Sequence, residues 1–265
     1  MKKLIYQVAL GPKHKLYEHC IESVAKYADR IGADHIVQRE PILRIAPNPF
    51  MSNRECKKTN GWKKLGYMPI FEKENVFNYF DDYDMCCVID ADIYIRETAL
   101  DIFDYLPEKI AVGSVYESDV PINEEYMNKI KQYSRMIQLF NMPWPMRKKT
   151  GFDFFNSGVM LYNSRLMKKA LKGKTPRQFL EQPQLQDLIN GKGPFKWQSD
   201  QITLNYWFAV NHIPVHHLPW VFNALYAAIP KVAMKDAQFI HFFLKDHLPD
   251  NGNDIEALMK DINDV

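Results

Sequence analysis

Met85-Cys-Cys-Val-Ile89 is a run of five apolar residues without a polar break, and it leads straight into Asp90-Ala-Asp92. A strand that is apolar at every position, rather than at every second one, has both faces covered. Such strands lie inside a mostly parallel sheet with helices packed on either side. No other stretch constrains the chain to an α/β architecture as strongly. The run also raises a problem of its own. Carboxylates rarely sit against a core unless they are paired or bind a metal, yet two of them end this strand one residue apart.

The flanking sequence fits the same architecture. Residues 4–10 read as a first strand, broken by Gly11-Pro12. Tyr17, Cys20, Ile21, Val24, Ala28 and Ile31 recur at helical spacing, which predicts a helix over Lys15–Ile31 with Gly32 as its stop. Residues 33–40 follow as a second strand, completing a β-α-β unit and hence a parallel pair. Further on, the pattern predicts a polar loop over 41–64, a helix over 68–80, a short helix over 99–106 and a strand over 109–116. Residues 122–150 read as a helix and then a Pro/Trp-rich loop. A strand over 152–163 is interrupted by Asn156-Ser157-Gly158, and a helix is expected over 199–211. Short strands at 213–219 and 237–243 precede a tail helix from Asn253. The expectation is one α/β domain over residues 1–265, with a central, mostly parallel sheet flanked by helices. Residues 115–150 form a middle excursion, and 246–265 form the tail.

Composition narrows the function classes. The 265 residues carry a formal net charge of only +2, and no basic face dominates, which argues against a nucleic-acid partner. Two basic clusters, at 56–64 and 146–150, read equally as solvated loop charge or as phosphate-handling groups. The four cysteines show neither a CxxC nor a zinc-type spacing, and Cys86 and Cys87 read as reduced core residues. There is no apolar span of about 20 residues, no secretory leader pattern and no Asn-x-Ser/Thr acceptor. These features lead to the expectation of a reducing, cytoplasmic setting without a transmembrane segment.

An Asp-x-Asp by itself says little, and the chain supplies its own control. Asp82-Tyr83-Asp84 has the same spacing but lies at a polar helix-to-strand corner, where capping and turn roles account for both acids. Asp90 and Asp92 end an apolar strand. In open α/β sheets ligands bind beyond the carboxyl ends of strands. Residues i and i+2 of an extended chain point to one side, so two carboxylates there can reach one cation. Hard oxygen donors suit Mg²⁺ or Mn²⁺, which bind through a few carboxylates together with substrate phosphates. The plain alternative is a pair of acids satisfied by a lysine or by helix amides.

Taken in order, the Asp90-Ala91-Asp92 strand end, "FFNSGVMLYNSRL", "SDQITLN", "HLPWVFN" and "FIHFF" resemble the GT-A glycosyltransferases, most of all the glycogenin and bacterial galactosyltransferase group, family 8. The resemblance covers about residues 3–245. It implies a nucleotide-sugar enzyme with a Rossmann-like GT-A domain. By that likeness Asp90, Asp92 and His241 would hold Mn²⁺ or Mg²⁺, while Asn156, Ser157 and Gly158 would line the donor-sugar pocket. Asp200 and Gln201 would flank the reactive anomeric carbon, with Asp200 on sugar hydroxyls. Ala9, Leu10 and Tyr17 match the region that holds the nucleotide base, and Lys73 matches a basic residue reaching the donor. Lys245 would meet the β-phosphate, though it follows His241 sooner than in the group and without the intervening glycine. Simpler readings exist for several of these residues. Asn-Ser-Gly also suits a strand kink, Ser199 and Asp200 suit a helix N-terminus, Lys73 suits a solvated helix face, and Tyr17 suits the apolar face of its helix.

The resemblance implies transfer of a hexose from a UDP-sugar to a glycan, lipid or protein acceptor with retention at the anomeric carbon. The acceptor side would be framed by residues 115–150, including Trp144. Two rivals stand beside it. A sugar-phosphate nucleotidylyltransferase also uses a strand-end Asp and a metal but needs a Gly-rich loop after the first strand, where this chain has one Gly. A non-catalytic carbohydrate-binding module would use the aromatic residues as a stacking surface.

Overall fold

A computed structural model of the chain describes residues 1–46, 65–128, 146–147, 151–152, 154–190 and 199–264. The basic cluster at 56–64, most of the 122–150 excursion with Trp144, and Trp197 lie outside the described residues. Eleven strands are present among the described residues: β1 (Lys3–Val8), β2 (Asp34–Gln38), β3 (Met85–Ile89), β4 (Ile93–Ile95), β5 (Val112–Tyr116), β6 (Met146–Arg147), β7 (Gly151–Phe152), β8 (Phe155–Asn163), β9 (Val215–His217), β10 (Ala224–Leu225) and β11 (Phe239–His241). Six form the central sheet in the order β2-β1-β3-β8-β5-β9.

The run Met85–Ile89 is the middle of this sheet, and every residue in it is buried. Cys87 and Ile89 face a layer built on the helix Lys15–Ile31. Cys86 and Val88 face the opposite layer, which includes residues 71–80 and the helix Asp200–Val210. Both cysteines are free thiols. The helix Lys15–Ile31 has the predicted bounds. It buries Leu16, Cys20, Val24 and Ala28 on one stripe, and Gly32 closes it in the left-handed region at φ 65°. Each large aliphatic buried in this way contributes about 1.5–3 kcal/mol.

One element differs in kind from the sequence reading, and three helices, Ser164–Leu171, Pro176–Leu180 and Pro183–Ile189, lie where it placed none. Residues Pro69–Tyr79 form a 3-10 helix rather than an α-helix. Its side chains explain the tighter winding. Glu72, Asn75 and Asn78 recur every third residue, which is one turn of a 3-10 helix. Asn78 Nδ2 donates to Asn75 Oδ1 at 2.8 Å, Asn75 Nδ2 donates to Tyr6 Oη at 3.0 Å, and Glu72 accepts the backbone N–H groups of Ile42, Leu43 and Arg44. Asn156-Ser157-Gly158 does interrupt its strand, as a bulge rather than an end: β8 runs Phe155–Asn163, but its pairing with β5 jumps from Ser114–Met160 to Val115–Asn156, which leaves Ser157, Gly158 and Val159 outside the β5 register.

β8 is antiparallel to both neighbours, while the other five strands run parallel to one another. This single reversal has a geometric consequence. Parallel strands deliver their last residues to the carboxyl edge of the sheet, and β8 delivers its first residues there. A second sheet, β10-β11-β4, pairs His241 with Ile93 immediately after the Asp-Ala-Asp segment.

Candidate active site

The carboxyl edge collects side chains from four strands. Ala9 and Leu10 follow β1, Asp90 follows β3, Glu117 follows β5, and Asn156–Gly158 open β8. The Asp90 N–H donates to Gly158 O at 2.8 Å, tying the two strand ends together. The helix Asp200–Val210 adds its N-terminus. Ser199 caps it through Oγ, which accepts from Ile202 N, and Asn205 grips Phe155 of β8 by accepting from its N–H at 3.1 Å and donating to its carbonyl at 3.0 Å. That clamp sets Asp200 and Gln201 over Ser157. Ser157 Oγ donates to Asp200 at 2.9 Å, and Ser157 N–H donates to Gln201 Oε1 at 3.3 Å. Asp90, Asp92, His241, Asn156, Asp200 and Gln201 all line one cavity of about 430 Å³.

The chain turns at Asp90-Ala-Asp92, with Ile93 N–H donating back to Asp90 O at 3.1 Å, and Phe242 N–H donates to Asp92 O at 2.9 Å. His241 is thereby held beside both acids. Its Nε2 lies 3.3 Å from Asp92 Oδ1 and 3.8 Å from Asp90 Oδ2. Ligand atoms from the three residues lie within 4.8 Å of one another. Donors about 2.1 Å from an octahedral ion stand roughly 3 Å apart when adjacent, so two carboxylate oxygens and one imidazole nitrogen at these separations fit a divalent cation. Gly158 makes room for the ring. A Cβ at that position would stand 2.6 Å from His241 Cε1 and 2.7 Å from Nδ1, and no side chain tolerates such contacts.

Lys73 is not a solvated helix lysine. Its side chain is 15% exposed and bridges Asp90 at 2.8 Å and Asp200 at 2.5 Å. Burial opposes its charge, but the two carboxylates overcome that and hold its pKa above the ordinary lysine value. Burial raises Asp90, and Lys73 offsets that only in part. At Asp92 burial pushes the carboxyl up, but the His241 imidazole, with Lys245 and a backbone N–H, overcomes it and holds the carboxyl below its usual range. Burial lowers His241, but Asp92 together with Asp90 overcomes it and raises the imidazole. Three carboxylates therefore share one lysine and one imidazole, which leaves negative charge for a bound cation to balance.

No family model matches the sequence, and no curated protein sequence matches it. Solved structures do match in fold. The galactosyltransferase LgtC, solved in complex with donor and acceptor sugar analogs, superposes with a TM-score of 0.57 at 13% identity, over 99% of this chain and 96% of its own. The bifunctional glycosyltransferase WbbM gives 0.53 at 13% identity, over 100% of this chain and 50% of its own. Mouse xyloside xylosyltransferase 1 gives 0.50 at 11% identity, over 94% and 100%. The fold is that of the GT-A glycosyltransferases.

Within this GT-A sheet the remaining sequence-derived residues fall as follows. Ala9, Leu10, Tyr17 and Ala91 line the same cavity as the acids. One face of the Tyr17 ring is covered, with Lys245 Nζ 3.7 Å from its centroid. Lys245 thus rests on the aromatic ring, half-buried, and burial lowers its pKa. The structure also brings in residues that the sequence reading passes over. Glu117, 5% exposed, accepts from Asn156 Nδ2 at 3.2 Å and from Gln201 Nε2 at 3.1 Å, and burial pushes its carboxyl up to about 7. The apolar-run rule that marks Asp90 does not find it, because β5 is buried throughout but carries Ser114; the signal available was an acid just past a strand. Asn223 is fully buried, donates to Asn156 Oδ1 at 2.9 Å and meets His241 Nδ1 at 3.0 Å. Glu74, next to Lys73, is 2% exposed with neither carboxyl oxygen hydrogen-bonded, and burial raises it well above the usual range. No helix among the described residues is long and apolar enough to cross a membrane.

Proposed function

We propose that this chain is a metal-dependent glycosyltransferase that moves a hexose from a nucleotide-sugar, with UDP as the expected nucleotide, to an acceptor hydroxyl with retention at the anomeric carbon. The observation that carries the reading is the convergence of Asp90, Asp92 and His241 with Asp200, Gln201 and Asn156 on one cavity at the carboxyl edge of a GT-A sheet. The superposition on LgtC, a galactosyltransferase that takes donor and acceptor sugar analogs, lends the reading its substrate class.

The residues divide the work. Asp90, Asp92 and His241 would hold Mn²⁺ or Mg²⁺, which supplies Lewis-acid stabilisation of the departing diphosphate. Ala9, Leu10 and Tyr17 border the nucleotide end of the cavity. Lys245 offers an ammonium on a flexible stem that can leave the Tyr17 ring for a phosphate. Asn156, Ser157 and Asp200 present hydrogen-bonding groups suited to sugar hydroxyls, and Gly158 keeps the backbone open to close approach. Lys73 bridges Asp200 and Asp90, and Asp90 also belongs to the cation centre, so neither is placed as a free nucleophile. Glu117 lies behind the amides of Asn156 and Gln201. With both carboxylates occupied, retention is best supplied by same-face attack, in which the leaving phosphate takes the acceptor proton beside the amide of Gln201. Acceptor recognition falls to the 115–150 segment.

The test is turnover of a panel of UDP- and GDP-sugars with and without Mn²⁺, followed by NMR of the anomeric product. Mn²⁺-dependent release of the nucleotide with a retained anomer is expected. An inverted product overturns the same-face route. Absence of both turnover and Mn²⁺-linked nucleotide binding overturns the enzyme reading.

A further inference from the structure

One backbone N–H fixes the orientation of a buried chain of side chains that ends on the candidate cation centre. Gly158 N–H can only donate, and it lies 2.9 Å from Asn156 Oδ1, so that atom is the amide oxygen. The other end of the same amide is then Nδ2, and it faces Glu117 Oε1 at 3.2 Å, an acceptor as required. The Asn223 atom that meets Asn156 Oδ1 at 2.9 Å must be a donor, its Nδ2. The opposite atom, Asn223 Oδ1, faces His241 Nδ1 at 3.0 Å, so that nitrogen carries the hydrogen and donates. The only imidazole nitrogen left for a ligand is Nε2, which points at Asp92 and Asp90. Asn223, Asn156, Glu117 and His241 are each at most 7% exposed, so no water competes for these directions.

We propose that Asn223 is a positioning residue: its amide holds His241 with Nδ1 as the donor and Nε2 turned toward Asp90 and Asp92, presetting the imidazole as the nitrogen ligand of a divalent cation. The proposal rests on the cation centre of the proposed function and adds a residue that touches neither cation nor substrate. The amide relay through Asn156 to Glu117 gives Asn223 its direction, because an amide with its nitrogen already committed to Asn156 cannot flip to offer a donor to His241. Gly158 contributes twice, by supplying the defining N–H and by leaving space for the ring. A metal-bound histidine whose other nitrogen donates to an acceptor is held in one tautomer and one orientation, and loss of such an outer partner weakens metal binding roughly 10–100-fold.

The test measures Mn²⁺ affinity directly, by loss of the free-ion EPR signal with and without UDP, on the full chain and three variants. Asn223→Leu keeps the volume and removes both polar ends. A 10–100-fold weaker Mn²⁺ affinity is expected, with thermal unfolding still cooperative. Asn223→Asp keeps an oxygen for His241 Nδ1 but loses the donor to Asn156, and it should bind Mn²⁺ within a few-fold of the parent chain. Asn223→Ala repeats the loss in a smaller side chain should the leucine variant fail to fold. A purely structural role would make the aspartate variant as poor as the leucine one, and that result overturns the proposal, as does unchanged affinity in the leucine variant. If the parent chain itself takes up no Mn²⁺, the cation centre falls and the proposal with it. If the parent binds Mn²⁺ while Asn223→Leu matches it, only the positioning role falls.

Discussion

β3 carries an Asp-x-Asp at each end. At the amino end Asp82 and Asp84 are exposed. Asp84 takes the Lys2 N–H at 2.6 Å, and its carbonyl takes the Ser164 N–H at 3.1 Å. At the carboxyl end Asp90 and Asp92 are largely covered, share Lys73 and His241 with Asp200, and border a cavity. The spacing is identical and the fates are opposite. Cavity size does not separate the two ends, since the hollow beside Asp82 and Asp84 is the larger, at about 660 Å³ against about 430 Å³. What separates them is solvation. Water and backbone N–H groups satisfy the first pair, whereas the second pair is short of positive charge in a place that water cannot fully reach.

The largest effect should come from breaking the carboxyl end at its least replaceable member. Asp92→Asn removes one charge and one ligand oxygen, and should weaken Mn²⁺ binding by more than about 100-fold, the upper end for outer-partner losses, and abolish metal-dependent turnover. Unfolding should stay cooperative but somewhat easier at neutral pH, because the pairing with His241 that holds the Asp92 carboxyl below its usual range is lost. Retained Mn²⁺ affinity would erase the distinction between the two ends. Lys73→Met comes next. It strands Asp90 and Asp200 without their shared cation, and breaking a buried pair in this way costs about 3–5 kcal/mol. The matching change at the other end, Lys168→Met, parts an exposed pair with Asp81 and should cost well under about 1 kcal/mol. Urea unfolding of both variants measures the contrast, and Mn²⁺ should restore more stability to Lys73→Met than to the parent chain.

Glu117 sharpens the comparison through pH. Burial lifts its pKa from 4.5 to about 7 in the fold. Between those values the folded chain holds a proton that the unfolded chain has released. Stability from this carboxyl is therefore full below pH 4.5 and falls as pH rises toward 7, by on the order of 3 kcal/mol in all. Glu117→Gln removes the dependence. The stability difference between parent and variant should slope across that window and level off on both sides. A flat difference would place Glu117 among solvated acids such as Asp82.

Much of the fold was legible because β3 is an unbroken apolar run and the helix Lys15–Ile31 is periodic, each consistent with its place in the fold. The site was legible where an acid follows an apolar strand, as at Asp90, or where a cap residue precedes a helix, as at Ser199. The rest depends on contacts that no local pattern encodes. Lys73 looks like any helix lysine until the 3-10 winding turns it inward onto Asp90 and Asp200, residues 17 and 127 positions away. Asn223 reads as the end of a Pro/Trp segment until β10 and β11 pair and bring it beneath His241. The reversal of β8 is not written in its composition either, and it alone carries Asn156-Ser157-Gly158 to the edge where the acids lie.

The smallest expected effect is the one the comparison most depends on. Asp82→Asn preserves shape and removes a charge from an exposed turn where the backbone, through Asp82 N–H to Tyr79 O at 3.0 Å, holds the conformation. Surface substitutions of this kind stay within about 0.5 kcal/mol. Stability, Mn²⁺ affinity and turnover should all match the parent chain. The variant shares with Asp92→Asn its chemistry, its strand and its distance from a second aspartate, so any difference between the two comes from position. Should Asp82→Asn weaken Mn²⁺ binding, the cation would be seated at the amino end of β3, in the larger hollow, and the charge deficit at the carboxyl end would need another occupant.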